Sequence, residues 1–428
     1  MFVKISKVPQ TGVSTLLKIK HYLLLLSIFV SSSALATEPL VRIGDRVTML
    51  GGTFVERMQI HGHFETEIRA RLQGDIQIKN LGWAGDNVLG ESRAVFGAVE
   101  KGMERLLNDM RLTNPTVIII FYGGNEAHKG KAGIDSFRAN LQALISHLAP
   151  FNARLIIVGP RPYENLGPPL PSPKRYNSSL AAYREVLRTE AERIDAPFID
   201  LATLNPVVSS EVLRPSIEDG NVEGEFPTGL TSNGVHLTSN GYQTLAPAFA
   251  SALGLNRIDF SVVVDGDDID VKGLNGITFA RNEEEIEIAG TPEQLPTPSS
   301  SKVGVPPIDL KLTVGGLPAG KYRVFVTNSN GVSLRVLSEN QLAKGVRVDI
   351  PIDSNYTELL HAITMKNMMF FHRHRPQNET YLFLFRKHEQ GNNAVEIPQF
   401  DPLVEDLDKK IYDLSKPRRF KLSIQPVQ

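Results

Sequence analysis

The stretch Thr48–Gln59, TMLGGTFVERMQ, ends an apolar run in two glycines and then offers a hydroxyl, Thr53. A strand that stops at a sharp turn bearing a hydroxyl is a common way to present a nucleophile at a sheet edge. The run reads as a buried strand, RVTMLG, and four more of the same texture follow: IQIKNLG, TVIIIFYGG, RLIIVGP and PFIDL. Short runs rich in Val and Ile fit buried parallel strands. Helical patterns lie between them. In IDSFRANLQALISHLAP, Phe137, Leu141, Leu144, Ile145 and Leu148 fall on one face, with Asp135 placed to cap the start. NSSLAAYREVLRTEAERID and NGYQTLAPAFASAL are two further amphipathic helices. This alternation, which runs to about residue 255, predicts a parallel sheet with helices on both faces. Sites in such sheets gather at the carboxyl ends of the strands. Thr53, Gly82, Gly123 to Asn125 and Pro160 all fall just past those ends.

Beyond Asn256 the texture changes. DFSVVVDGDDIDVKGLNGITFARNEEEIEIAG reads as short strands with Gly/Asp turns, PTPSSSKVGVPP as a linker, and LKLTVGGLPAGKYRVFVTNSNGV as two strands around a turn. Residues 256–350 are therefore expected to form a small β module. Residues 351–428 are expected to be a helical, basic-aromatic C-terminal segment, with NYTELLHAITMKNMMFFHRH a helix and DPLVEDLDKKIYDLSK an acidic tail helix.

The 428 residues carry 46 Lys plus Arg against 47 Asp plus Glu, a balance that gives no case for a nucleic-acid binder. Lys18 and Lys20 precede the apolar run YLLLLSIFV and the small residues Ala34 and Ala36. That order reads as a signal peptide over 1–36, cut near Ala36, for export to a bacterial periplasm or the exterior. The run is shorter than the roughly 20 residues a membrane anchor needs, so stable membrane insertion is not expected. With no cysteine there is no disulfide and no thiolate metal site, which a core of this size tolerates.

Four spots carry chemistry. Thr53 supplies a hydroxyl. NLGWAGDN places Gly82 after the second strand, where a glycine leaves its N–H free to face a cleft. FYGGNEA places Asn125 so that its amide can donate to a developing oxyanion, and TSNGVHLTSNGY sets His236 in a loop before the last helix of the domain. Hydroxyl, oxyanion donors and imidazole are the inventory of acyl transfer. In this order, over roughly residues 43 to 252, the set resembles the SGNH (GDSL-type) hydrolase and esterase superfamily. GGTFVE stands for its GDS block, NLGWAGD for its glycine block, GGNE for its G-x-N-D block and NGVHLTSNGY for its D-x-x-H block.

The resemblance implies an α/β/α flavodoxin-like sandwich over residues 37–255. It also implies Thr53 as nucleophile, His236 as general base, and an oxyanion hole of Gly82, Asn125 and the N–H at position 53. Three departures stand out. Thr53 replaces the family's serine, Gly52 its aspartate, and Asn233 the acid of the catalytic triad. An amide does not stabilise an imidazolium as a carboxylate does, and in a serine protease that exchange lowers kcat by about 10⁴. The extra methyl of threonine restricts χ1, and its hydroxyl has an alternative use as a helix cap.

Candidate substrate contacts are Trp83, as wall or sugar platform, Glu126, and the cations Arg373 and Arg375 near the C-terminus. Those cations read either as an anion clamp for a carboxylated or sulfated glycan or as partners of Glu379, Glu389 and the acidic tail, with pairing favoured. HGH (His61, His63) and HRH (His372, His374) lack an evident third ligand, so no metal and no cofactor is expected. The leading reading is an exported ester hydrolase that removes acyl groups, acetyl above all, from carbohydrate or another small-molecule ester. The rival is an inactive binding protein of the same fold for glycans or other ligands. Fold alone does not choose between them, and the oligomeric state is not legible.

Overall fold

The computed structural model describes residues 38–204, 230–297, 309–329, 331–350 and 354–427. The expected signal peptide and most of the PTPSSSKVGVPP linker lie outside the described residues. Five strands form the first sheet: β1 (Arg46–Gly51), β2 (Gln77–Gly82), β3 (Val117–Phe121), β4 (Arg154–Gly159) and β5 (Phe198–Asp200). Their order is β2-β1-β3-β4-β5 and every pairing is parallel, the flavodoxin-like arrangement. All five were legible as apolar runs because each is covered on both faces.

The covering follows the two-residue period of the strands. Val117, Ile119 and Phe121 of β3 pack with Phe64, Ile68, Leu245 and Phe249, from helices His63–Arg71 and Ser239–Ala252. Ile118 and Ile120 face the other way, against Leu106, Leu141, Leu144 and Leu187 from helices Val99–Thr113, Ile134–Leu148 and Lys174–Arg193. In the Ile134–Leu148 helix the cap is Gly133, not Asp135. Asp135 sits in the first turn, where its charge meets the helix dipole.

The rest of the chain builds two more sheets. One, in the order β13-β10-β6-β7, contains β6 (Phe260–Asp265), β7 (Asp268–Lys272), β10 (Asp309–Gly315) and β13 (Val346–Asp349). The other, β12-β11-β14-β9-β8, contains β8 (Leu274–Arg281), β9 (Ile286–Pro292), β11 (Lys321–Asn328), β12 (Gly331–Ser338) and β14 (Phe420–Pro426). Phe260, Val262, Leu310 and Leu312 of the first meet Ile288, Val324, Leu422 and Ile424 of the second in one core, a β-sandwich. Here the expected boundary at 350 moves. β14, from the end of the chain, lies between β11 and β9, so the C-terminal segment is not helical throughout. FKLSIQP alternates apolar and polar residues as a strand with one buried face does.

Between β13 and β14 the chain crosses back to the parallel sheet. The helix Ser354–His374 lies along β2, an edge strand that pairs only with β1. Lys366, fully buried, donates to the edge carbonyl of Ile78 (2.6 Å) and to Glu65 (2.5 Å), which closes an edge that would otherwise be open to other strands. Asp408, on helix Phe400–Leu414, joins the same buried set. It accepts from Lys79 at 2.8 Å and Arg69 at 3.2 Å and lies 3.8 Å from Lys366. Burial opposes the Asp408 charge, but these three cations prevail and hold its carboxyl below the ordinary range. Removing one member of such a set leaves the others uncompensated. Asp408→Asn is therefore expected to cost about 3 kcal/mol in urea unfolding at pH 7, whereas Lys409→Gln, at an exposed ion pair, is expected to change stability little.

Candidate active site

The four expected spots converge at the carboxyl edge of the parallel sheet. Gly51 ends β1, Gly52 caps the next helix, and Thr53 is its first residue. As the first residue of a helix, Thr53 has no intrahelical acceptor for its own N–H. Its hydroxyl does not cap the helix. It accepts instead from the N–H of Gly85 at 3.0 Å.

That contact corrects one expectation. Gly82 is not an oxyanion donor, because its buried N–H is held by Asn80 Oδ1 at 2.7 Å. It is a glycine for packing reasons, since a Cβ there would stand 2.1 Å from the backbone nitrogen of Glu56. Gly85 is exposed, adopts φ of +74°, and aims its N–H at the Thr53 oxygen. A donor so placed beside a hydroxyl has the geometry of an oxyanion-hole N–H. The signal was present in NLGWAGD, which has two glycines. Only the second, at positive φ, required one by conformation.

The turn that carries Gly85 is fixed by its neighbour. Asp86 is fully buried and accepts from Arg93 Nε at 2.6 Å and Tyr122 Oη at 2.8 Å. Its backbone carbonyl accepts from Asn125 Nδ2 at 3.1 Å, which orients that amide at the rim of the cavity. The same carbonyl explains Gly52, where a Cβ would meet it at 3.0 Å. Glu126 is not a substrate contact. Its carboxylate is buried and accepts from the N–H groups of Val88 (2.9 Å) and Gly123 (2.8 Å), tying together the turns after β2 and β3.

His236 is presented by a short loop closed by a Thr231 to Leu237 bridge, with Ser232 N–H donating to the His236 carbonyl at 3.0 Å. Asn233 occupies the acid's place. Its Oδ1 accepts from the N–H groups of Val235 (3.1 Å) and His236 (2.9 Å), so its amino group is the end that faces His236 Nδ1, 3.2 Å away. The physical consequence is a tautomer. With Nδ1 accepting, the neutral ring carries its proton on Nε2, the reverse of what a base needs at that atom. Burial first, and then the charge of Arg57, also holds the His236 pKa below the usual imidazole range. Among the described residues no hydrogen bond joins Thr53 to His236, yet both line one cavity of about 370 Å³.

Residues that sequence reasoning missed complete that cavity. Tyr163 and Tyr176 stack at 3.9 Å between ring centres, with His128 beside them at 4.5 Å from Tyr176. Tyr242 donates to the carbonyl of Phe54 at 2.7 Å, and Arg57 and Arg161 bring positive charge. None of these shows a local pattern in the chain. They meet only through the sheet.

The remaining candidates lie elsewhere. Trp83 is buried, and its ring is covered by Arg375 at 3.9 Å, Arg105 at 5.2 Å and Arg93 at 5.4 Å, so it is no sugar platform. Arg375 also donates to Glu56 at 2.8 Å and Arg373 to Asp401 at 2.8 Å, while Arg105 pairs with Glu379 and Arg386 with Glu389. The pairing reading of these cations fits, and neither Arg373 nor Arg375 is free to clamp a substrate anion. His61 stacks on Tyr242 and His63 bonds Ser239 at 2.9 Å. Among the described residues no three His, Asp or Glu side chains are grouped to hold a metal, and no helix is long and apolar enough to cross a membrane.

Residues 44–244 match the family model described as GDSL-like Lipase/Acylhydrolase family. No curated protein sequence matches the chain. Among solved structures, a gut microbial diltiazem-metabolizing enzyme aligns over 90% of this chain and 98% of its own, at 16% identity and a TM-score of 0.66. At that identity the likeness shows the shared fold, along nearly the whole length. A catalytic mutant of an acetylxylan esterase from Geobacillus stearothermophilus aligns with 51% of this chain and 98% of its own, at 18% identity and a TM-score of 0.36. An alpha/beta hydrolase enzyme from the metagenome of Lake Arreo, Spain, covers 51% and 99% respectively, at 15% identity and a TM-score of 0.36.

The tautomer argument yields a direct test. Asn233→Asp lets one carboxylate oxygen keep the two backbone N–H groups while the other accepts from Nδ1–H, freeing Nε2. Ester turnover is expected to rise at least about tenfold in kcat, read by steady-state kinetics on a short-chain aryl ester. An equal or lower kcat would remove the tautomer from the account.

Proposed function

Because residues 44–244 belong to the GDSL-like lipase/acylhydrolase family, an SGNH-type fold of ester hydrolases, we propose that Thr53 and His236 form the acyl-transfer pair of this chain. The observation that carries the reading is the Gly85 N–H on the Thr53 hydroxyl, with Asn125 at the rim of the same cavity.

For attack, His236 must first exchange its ring proton from Nε2 to Nδ1 through solvent; the Thr53 hydroxyl then turns from Gly85 toward His236, and the freed Nε2 takes its proton as the oxygen adds to the ester carbonyl. The oxyanion that forms is met by the N–H groups of Gly85 and Thr53 and by the Asn125 amide. His236 then returns the proton to the departing alcohol, and water repeats the sequence on the acyl-threonine. The Nε2–H tautomer held by Asn233 and the β-methyl of Thr53 both slow this path, so turnover is expected to be modest.

The substrate assigned here is a short-chain acyl ester, acetyl above all, of a carbohydrate or comparable polar alcohol. A cavity of about 370 Å³ admits a short acyl group, and the Tyr163 and Tyr176 pair offers a ring face of the kind that sugars pack on. Export is part of the proposal and rests on the basic and apolar order of the first 36 residues. The rival reading, a binding protein without turnover, keeps the cavity and loses only the proton path.

Hydrolysis of para-nitrophenyl acetate by purified protein separates the two. Thr53→Ala is expected to lose at least about 10²-fold in kcat/KM, as removal of a nucleophile does, while Thr53→Ser retains or raises activity. Absence of turnover in the natural protein and in Thr53→Ser would leave only the binding reading.

A further inference from the structure

Arg161 follows β4 at the carboxyl edge of the sheet and is 6% exposed, yet among the described residues it has no hydrogen bond and no ion pair. Its Nε and Nη1 are buried without an acceptor, and the side chain lines the catalytic cavity. Guanidinium stays charged in proteins, and a buried charge without a partner is costly. The acids around it are engaged. Both oxygens of Glu126 take backbone N–H groups, Asp86 is held by Arg93 and Tyr122, and Glu164 takes the N–H and hydroxyl of Thr231. Arg57 adds a second guanidinium to the same cavity. Its Nε is likewise buried without an acceptor, and its Nη2 reaches only the Leu237 carbonyl, at 3.4 Å, and His61, at 3.5 Å.

Resting on the hydrolase reading above, we propose that Arg161, with Arg57, binds a carboxylate carried by the substrate, so that the preferred class is an ester bearing a carboxylate near the scissile bond. The anion clamp expected at Arg373 and Arg375 thus has its counterpart inside the cavity, where among the described residues neither Arg161 nor Arg57 is paired with a carboxylate. A guanidinium fork matches a carboxylate in shape and charge. The bound anion also offsets the Arg57 charge that opposes protonation of His236, and so supplies from the substrate part of what Asn233 does not.

The test compares matched esters on two arms. On the acyl side, para-nitrophenyl hemiglutarate is set against para-nitrophenyl valerate; on the alcohol side, meta-acetoxybenzoate against meta-acetoxybenzamide. On one arm the carboxylated ester is expected to lead by about tenfold or more in kcat/KM, the scale of a charged hydrogen bond. In Arg161→Gln that ratio is expected to fall close to one. A ratio near one in the natural protein on both arms, or a preference that Arg161→Gln leaves intact, would overturn the proposal. Arg161 has no partner among the described residues, so Arg161→Gln is expected to show an equal or higher Tm, which separates loss of preference from unfolding. Should no ester be turned over, the hydrolase reading fails and the anion site is still decided by calorimetry with glutarate and glutaramide. Binding of glutarate alone, abolished in Arg161→Gln, supports the site; no binding, or binding indifferent to Arg161, overturns it.

Discussion

The buried carboxylate of Asp86 holds the active site together. Arg93 and Tyr122 fix it, and its own backbone fixes the rest. The residue before it, Gly85, points its N–H at Thr53, while the carbonyl of Asp86 orients Asn125 and would stand 3.0 Å from a Cβ at position 52. Burial and the neighbouring Asp86 charge push the Tyr122 pKa well up, so that its hydroxyl remains a donor. A buried ion pair of this kind adds little net stability but is very costly to break. Its effect here is positional. The elements that follow β1, β2 and β3 are set in one register around a single carboxyl group.

A second constraint links this centre to the far end of the chain. Arg93 also lies over Trp83, and Arg105 and Arg375 cover the same ring. Arg375 continues to Glu56, on the helix that begins with Thr53. The long helix that ends at His374 therefore buttresses the helix of Thr53 from behind, while its Lys366 closes the edge of the sheet. The residues that looked like a substrate clamp are the fastening between the hydrolase domain and the C-terminal region.

The sequence was most readable where burial is symmetric. Five strands covered on both faces appear as apolar runs, and the helices between them keep one apolar face, so the α/β/α sheet was evident from β1 outward. The site was readable in outline, since Thr53, Asn125 and His236 do line one cavity. What failed was the choice between two glycines three residues apart, because a free N–H is a property of conformation. Gly82 is buried under Glu56 and bonded to Asn80, whereas Gly85 is turned outward. Asn233 was flagged as a missing charge, but only its two backbone acceptor contacts show that it also sets the proton on the wrong nitrogen. Arg161 was invisible for a related reason. An arginine without a partner looks like any other arginine until the three-dimensional neighbourhood is known. β14 escaped because its pairing partners lie more than 90 residues earlier in the chain.

The central claim is that Thr53 is the atom that attacks. The most direct measurement is active-site labelling with an alkyl fluorophosphonate, followed by mass spectrometry of the tryptic peptide spanning residues 47–57. The account predicts a covalent phosphonyl adduct on Thr53 that disappears in Thr53→Ala and forms together with loss of esterase activity. Inhibition accompanied by an adduct on another residue, or ester hydrolysis that persists in Thr53→Ala, would contradict it.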